Sequence, residues 1–243
     1  MGRLTDKVAI ITGARSGIGR GIAEAFAAEG ATLVLTARTK DKLETAAQEI
    51  AKGGNRVKAI VADVTDEKQV AELFRQTVEA FGRVDILVNN AGTNTRYATV
   101  DLPLSEWKRV IETNLTGPFI CGREALRLMS KQKSGRIINI ASISAKRPRP
   151  NAAAYVSSKF GLEGLTRSMA LDGRPDNVAV CCIYPGNTWS ELKIGREEQQ
   201  HREGIMEAAD IGAMAVAIAA LPDGVNMLEC EMLPVKQPFI GRG

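Results

Sequence analysis

The chain has 243 residues, 44% hydrophobic and 25% charged, which suits a folded protein with a large core and excludes a low-complexity chain. Its formal charge of +4 is spread without any long like-charged block; Lys146-Arg147-Pro148-Arg149 is the densest basic cluster, so no nucleic-acid-binding arm is expected. His201 is the single histidine and Cys121, Cys181, Cys182 and Cys230 lack CxxC spacing, so neither a metal site nor a disulfide framework is expected.

The amino-terminal stretch carries no apolar leader, and no run of about 18 apolar residues offers a membrane span, so a cytoplasmic protein is the expectation. Short apolar runs alternate with longer amphipathic ones. The first, Val8–Thr12, reads as a strand and runs into Thr12-Gly13-Ala14-Arg15-Ser16-Gly17-Ile18-Gly19, where a helix over Ile18–Glu29 opens. Glycines at a first strand-to-helix junction let backbone approach a pyrophosphate, and the free N–H groups of the helix start attract its charge. The spacing is Gly-x-x-x-Gly-x-Gly rather than Gly-x-Gly-x-x-Gly, and a plain glycine-rich turn is the alternative. The cofactor contacts expected here are Gly13, Arg15, Ser16, Gly17, Ile18 and Gly19.

The second strand, Thr32–Thr36, ends in Ala37-Arg38, where an acidic residue would hold the adenosine ribose and repel a 2′-phosphate. Arg38 can instead pair with that phosphate, helped by Arg15, so NADP(H) is favoured over NAD(H); the alternative is a surface cation at the start of the helix Asp41–Lys52. A third strand, Val57–Val61, leads to Asp63 and Val64, with Asp63 expected to bond the adenine amino group. The helix Glu67–Phe81 and the strand Ile86–Val88 follow, the latter running into Asn89-Asn90-Ala91-Gly92. Such a run suits a turn; at a strand's carboxyl end it also allows backbone to approach the ribose, with the Asn amides pinning neighbouring strands.

A long helical pattern covers Ser105–Ser130, followed by a strand at Ile137–Ile140, a helix at Ala153–Leu171, a strand at Val178–Ile183, a helix at Asp210–Leu221 and a last strand near Met227–Leu233. Strand–helix alternation of this kind predicts an α/β, doubly wound fold in one domain, residues 1–243. Tyr155 and Lys159 stand four apart in the second long helix, on one face and about 5–6 Å apart at Cβ. A free phenol loses its proton near pH 10, and an adjacent ammonium stabilises the phenolate, making Tyr155 a candidate acid/base.

Thr12–Gly19, Asn89–Gly92, Asn114, Ser142, Tyr155/Lys159 and Pro185-Gly186, in this order and spacing, resemble the short-chain dehydrogenase/reductase superfamily of the classical type. The resemblance covers roughly residues 4–220. It implies a Rossmann-like, seven-stranded parallel sheet with helices on both faces, a homotetramer or homodimer, and hydride transfer between nicotinamide and a carbonyl or alcohol. It assigns Ser142 to polarise the substrate oxygen and Tyr155 to donate or remove the proton. Lys159 would assist the phenol and grip the ribose, and Asn114 would bend its helix and hold a water toward Lys159. Pro185, Gly186, Thr188 and Ser190 would place the nicotinamide, together with Asn90, Ala91 and Gly92 on the ribose side.

Two departures bear on substrate. The lid position Ser190–Ala209 is short and polar, which argues for a small substrate. The carboxyl-terminal residues from Leu221 to Gln237 are similar to the tail of NADP-dependent 3-hydroxy acid (serine-type) dehydrogenases of the same superfamily. Arg147 and Arg149, between Ser142 and Tyr155, can hold a substrate carboxylate or simply form a solvated basic turn; Arg149 is the substrate candidate. The expected function is hydride transfer between NADP(H) and a small polar alcohol or ketone, a 3-hydroxy acid being one version. The alternatives are a 3-oxoacyl thioester reductase and, with less reason to keep Asn114, Ser142, Tyr155 and Lys159 together, a non-catalytic NADP(H)-binding regulator.

Overall fold

The computed structural model describes residues 2–189 and 202–239. In chain order the elements are β1 (Val8–Thr12), α1 (Gly17–Ala28), β2 (Thr32–Ala37), α2 (Lys40–Ala51), β3 (Val57–Val61), α3 (Glu67–Phe81) and β4 (Ile86–Asn89). There follow α4 (Leu104–Ile111), α5 (Gly117–Gln132), β5 (Gly135–Ile140), α6 (Ala153–Gly173), β6 (Val178–Pro185), α7 (Ala208–Ala219) and β7 (Glu229–Met232).

The seven strands form one sheet in the order β3-β2-β1-β4-β5-β6-β7, every neighbouring pair parallel. Strand side chains alternate between faces, and here both faces are apolar, as a sheet covered on both sides requires. Ile11, Leu33, Leu35, Val88 and Ile138 meet Ile22 and Phe26 of α1, Leu43 of α2 and Ile211 and Val216 of α7 on one face. Ile10, Val34, Leu87 and Ile137 meet Val70 and Phe74 of α3, Ile120 and Met129 of α5 and Met169 of α6 on the other. Each fully buried Leu or Ile contributes roughly 1.5–3 kcal/mol over leaving it in water.

Local chemistry sets the helix limits. Asp66 caps α3 by accepting from Lys68 and Gln69 N–H, at 2.9 and 3.1 Å, and Gly82, with φ +78°, ends it in the left-handed conformation. Between α4 and α5 the chain makes one π-helical turn, Glu112–Thr116, so the long helix expected over Ser105–Ser130 is two helices joined by a bulge. Strand β5 starts at Gly135, two residues before its expected start at Ile137, because buried Arg136 pairs with Ile86 and its guanidinium donates to Val225 O at 3.0 Å.

Chain order reverses direction across the sheet at β1, whose neighbours are β2 on one side and β4 on the other. Loops leaving the carboxyl ends of β1 and β4 therefore diverge and open a crevice between them, the place where such sheets receive ligands. Among the described residues no helix is long and apolar enough to cross a membrane.

Candidate active site

One cleft sits over that crevice. It is lined by Gly13, Arg15, Ser16, Gly17 and Ile18 after β1, by Ala37, Arg38 and Thr39 after β2, and by Ala62, Asp63 and Val64 after β3. Asn90, Ala91, Gly92 and Thr93 after β4, Thr113 in the π-helical turn, Ile140 and Ala141 at the end of β5, and Tyr155 and Lys159 on α6 complete it. Thirteen of the residues expected from the sequence thus line a single groove running from Arg38 to Tyr155.

The floor of the groove is built without side-chain bulk. Gly13 lies at φ +66°, and a Cβ there would stand 2.9 Å from Ala91 Cα. Gly19 is buried under the turn: its Cβ would fall 2.3 Å from Asn90 Nδ2 and 2.6 Å from Gly13 O. That space is taken by the Asn90 amide, which donates to Thr12 O at 2.9 Å and Gly13 O at 3.2 Å. Thr12 Oγ1 answers by accepting from Asn90 and Ala91 N–H, both at 3.0 Å. One level below, Asn89 Nδ2 donates to Asn139 Oδ1 at 2.9 Å and ties β4 to β5.

At the start of α1 the N-cap Ser16 makes no side-chain capping bond and the first turn holds no acidic residue. The first N–H groups of α1 face the groove without an acidic neighbour of their own, which suits a phosphate. The glycine cradle and this electropositive helix end fit a dinucleotide's pyrophosphate. At the other rim Arg38 is well exposed and only loosely paired, its Nη1 lying 3.8 Å from Asp63 Oδ2. Asp63 spends Oδ1 on Thr65 N–H and Oγ1–H, at 3.0 and 2.8 Å.

Tyr155 and Lys159 lie one turn apart on α6, with Nζ 5.7 Å from the phenol ring centre. Lys159 is 5% exposed, and its ammonium donates to Ile140 O at 2.8 Å, which holds it under the groove instead of in solvent. Asn114 sits in the π-helical turn, fully buried. Its Oδ1 accepts from Thr93 N–H at 2.8 Å, and its Nδ2 donates to Thr93 O at 2.9 Å and to Ser158 Oγ at 3.1 Å. The bulge thus turns one amide toward both the loop after β4 and the residue beside Lys159. Ser158 Oγ in turn donates to the Tyr155 main-chain carbonyl at 2.7 Å.

Ser142 follows β5 and caps the short turn Ile143–Ala145, its Oγ accepting from Ser144 N–H at 3.1 Å. That bond uses a lone pair and leaves the hydroxyl proton to donate. Ser142 adjoins the groove at Ala141 without lining it. Pro185 ends β6, and Gly186 and Thr188 follow it; Thr188 is buried and donates to Gly186 O at 3.3 Å. These three are not part of the groove's lining. Ser190 and most of the Ser190–Ala209 lid position lie outside the described residues.

Several contributors carried no sequence signal. Gln237 Oε1, from the carboxyl-terminal segment, accepts from Asn187 N–H at 2.7 Å and so buttresses the loop after β6. Phe239 of the same segment lies with its ring centre 6.0 Å from the Arg147 guanidinium carbon. Of these two loop arginines, Arg149 is the one beside Tyr155: its guanidinium carbon is 5.3 Å from the Tyr155 ring centre. The thiols offer no nucleophile, since burial pushes Cys121 and Cys181 up to about 12 and Cys182 up to about 11. Among the described residues no cluster of three or more His, Cys, Asp or Glu is placed to hold a metal ion.

Comparison with known proteins adds the following. The family model described as short chain dehydrogenase matches residues 7–201. An uncharacterized oxidoreductase of Staphylococcus aureus (strain MRSA252) is 33% identical over 232 residues, covering 96% of this chain and 99% of the relative. A 3-oxoacyl-[acyl-carrier-protein] reductase of Synechocystis is 38% identical over 187 residues, 76% of each chain. Among solved structures, an alcohol dehydrogenase from the archaeon Thermococcus sibiricus, complexed with 5-hydroxy-NADP, superposes with a TM-score of 0.87 at 30% identity. That match covers 96% of this chain and 98% of the other.

Proposed function

Because the chain belongs to the short-chain dehydrogenase family, we propose that it transfers hydride between NADP(H) and a small polar alcohol or ketone, with Tyr155 as the acid/base. The observation that carries this reading is the opening of Tyr155 and Lys159 into the same groove as the glycine turn after β1. Gly13, Ser16, Gly17 and Ile18 would hold the pyrophosphate. Asp63 and Val64 would meet the adenine, and Asn90, Ala91 and Gly92 the ribose on the glycine-turn side. When bound, the nicotinamide supplies or accepts the hydride.

The chain's own residues would handle the oxygen and its proton. Ser142 donates its hydroxyl proton to the substrate oxygen as a hydrogen bond and draws charge onto it. Tyr155 passes its phenol proton to that oxygen in reduction and removes it in oxidation. Lys159, fixed by Ile140 O, supplies the nearby positive charge that favours the phenolate and reaches the ribose hydroxyls. Asn114 holds Ser158 and the loop after β4 at fixed separation, and the water it would hold toward Lys159 belongs to the same proposal. The NADP(H) preference rests on Arg38, with Arg15 beside it in the groove and no acid at Ala37. The bound NADP analogue in the archaeal neighbour supports the cofactor class.

The test is a panel of small hydroxy acids, sugars, cyclic alcohols and diketones, together with a 3-oxoacyl thioester, each offered with both cofactors. Faster turnover with NADP(H) of a small polar member is the expected result, read from nicotinamide absorbance. The thioester tops the panel if the Synechocystis relative is the better guide. Absence of turnover throughout would refute the enzyme reading.

Assembly as a homodimer or homotetramer is part of the same proposal. Phe119 on α5 and Phe160 on α6 are 42% and 45% exposed, an apolar surface that a second copy would cover. Light scattering on the eluting protein should give at least twice the chain mass of 26.1 kDa. A monomer at micromolar concentration would rule this out.

A further inference from the structure

Arg149 differs from the ion-paired arginines among the described residues. Arg20, Arg75, Arg83 and Arg109 each reach a carboxylate at 2.8 Å or less. Among the described residues no acid forms a hydrogen bond or ion pair with Arg149, although it is half-buried and its guanidinium carbon lies 5.3 Å from the Tyr155 ring centre. Burial holds its pKa below the usual arginine value; Tyr155 opposes that shift, and the charge of Arg96 adds to it.

Arg96 arrives from a distant part of the chain. A parallel bridge between Tyr97 and Ala152 lays the loop after β4 against the turn that carries Arg149. That loop is firmly held: Asn114 binds Thr93 through both amide atoms, and Arg109 donates to Asn94 O at 3.2 Å and to Thr93 Oγ1. The bridge therefore places the exposed Arg96 near the half-buried Arg149 beside the proposed acid/base, and among the described residues no carboxylate pairs with either. A desolvated cation lacking a partner is costly, and a like charge next to it raises the cost. A bound anion would reverse both effects.

We propose that the substrate is a hydroxy or oxo acid whose carboxylate is received by Arg149 and Arg96 together. This rests on the hydride-transfer reading above and names the substrate class for that site. Arg149 stands over the ring whose hydroxyl meets the reacting oxygen, so the carboxylate lies only a few bonds from the carbon that exchanges hydride. Arg149 provides a planar two-pronged donor for it, and Arg96 adds a second from the loop after β4.

The experiment compares small oxo acids with their methyl esters and with neutral ketones of equal length, using NADPH and, in parallel, NADH. It is run on the wild-type protein and on Arg149→Ala, Arg149→Lys and Arg96→Ala, with NADPH affinity measured by fluorescence titration as a check on folding. Acids should be preferred by the wild type. Each alanine variant should lose roughly 10- to 100-fold in kcat/KM for the acid, mainly through KM, and under about threefold for the ester, with NADPH affinity retained. Arg149→Lys should recover part of the loss. Equal losses for acid and ester, with a displaced pH profile, would make Arg149 a positioning charge for Tyr155 and overturn the inference. So would a wild type that reduces neutral ketones as well as acids, with the hydride-transfer reading left standing. A protein that turns over no compound with either cofactor overturns both.

Discussion

Tyr155→Phe should remove turnover, lowering kcat by about 100- to 10,000-fold, the range a positioned acid/base supplies, while changing NADPH affinity by less than about threefold. The substitution deletes one oxygen and keeps the ring. The ring's two cationic neighbours, Arg149 at 5.3 Å and Lys159 at 5.7 Å, retain an aromatic face to lie against. The local helix is equally undisturbed, because Ser158 bonds the main-chain carbonyl of residue 155 and not its side chain. Lys159 keeps its anchor on Ile140 O and remains available to the ribose. A loss in kcat with binding preserved therefore isolates the proton. Steady-state kinetics beside a fluorescence titration separate the two, and near-normal turnover in the variant would mean that another group supplies it.

Arg38→Asp should weaken NADPH by roughly 100-fold or more and NADH by less than about fivefold. A charge-assisted hydrogen bond is worth about 1.5–3 kcal/mol, and the new carboxylate adds repulsion toward a 2′-phosphate. The native pair with Asp63 does not compete seriously. At 3.8 Å with a 65% exposed arginine side chain it is a loose surface pair, the kind worth about 0–1 kcal/mol. Losing it should leave thermal stability nearly unchanged, so a fall in NADPH affinity cannot be assigned to misfolding. Equal losses for the two cofactors in direct titrations would strip Arg38 of the assigned role.

The central strands were legible because a parallel sheet covered on both faces needs apolar runs, and Val8–Thr12 has the limits its sequence suggests; the edge strand Val57–Val61, with Lys58 in it, also has its expected limits. The limits failed where a side chain breaks the pattern for a tertiary reason. Arg136 reads as a stop before β5 but is buried in it, its guanidinium donating to backbone carbonyls near residue 225. Asn114 was legible as a bend, yet the inserted residue of the π-helical turn leaves no mark on periodicity. In the groove, glycines and the Asn-Asn-Ala-Gly run were readable because their chemistry is local. Thr93, Thr113, Ile140 and Ala141 border it through the fold alone, and no local pattern distinguishes them. Arg96 was invisible for the same reason, since its place depends on the bridge between Tyr97 and Ala152, far apart in sequence. The carboxyl-terminal tail was visibly unusual, but nothing in its composition indicated that Gln237 would reach Asn187.

The reversal of strand order at β1 has a consequence for how such a protein can change over generations. Arg38 belongs to the β2 side of that seam, whereas Arg96 and Arg149 belong to loops on the β4 and β5 side, and the two halves meet through Asn90 and Thr12. On the roles proposed for these residues, mutations that retune coenzyme choice would fall on one flank and those that retune recognition of the acid on the other. A lineage can exchange either trait while inheriting the second intact, so long as the stitching between the flanks is left alone.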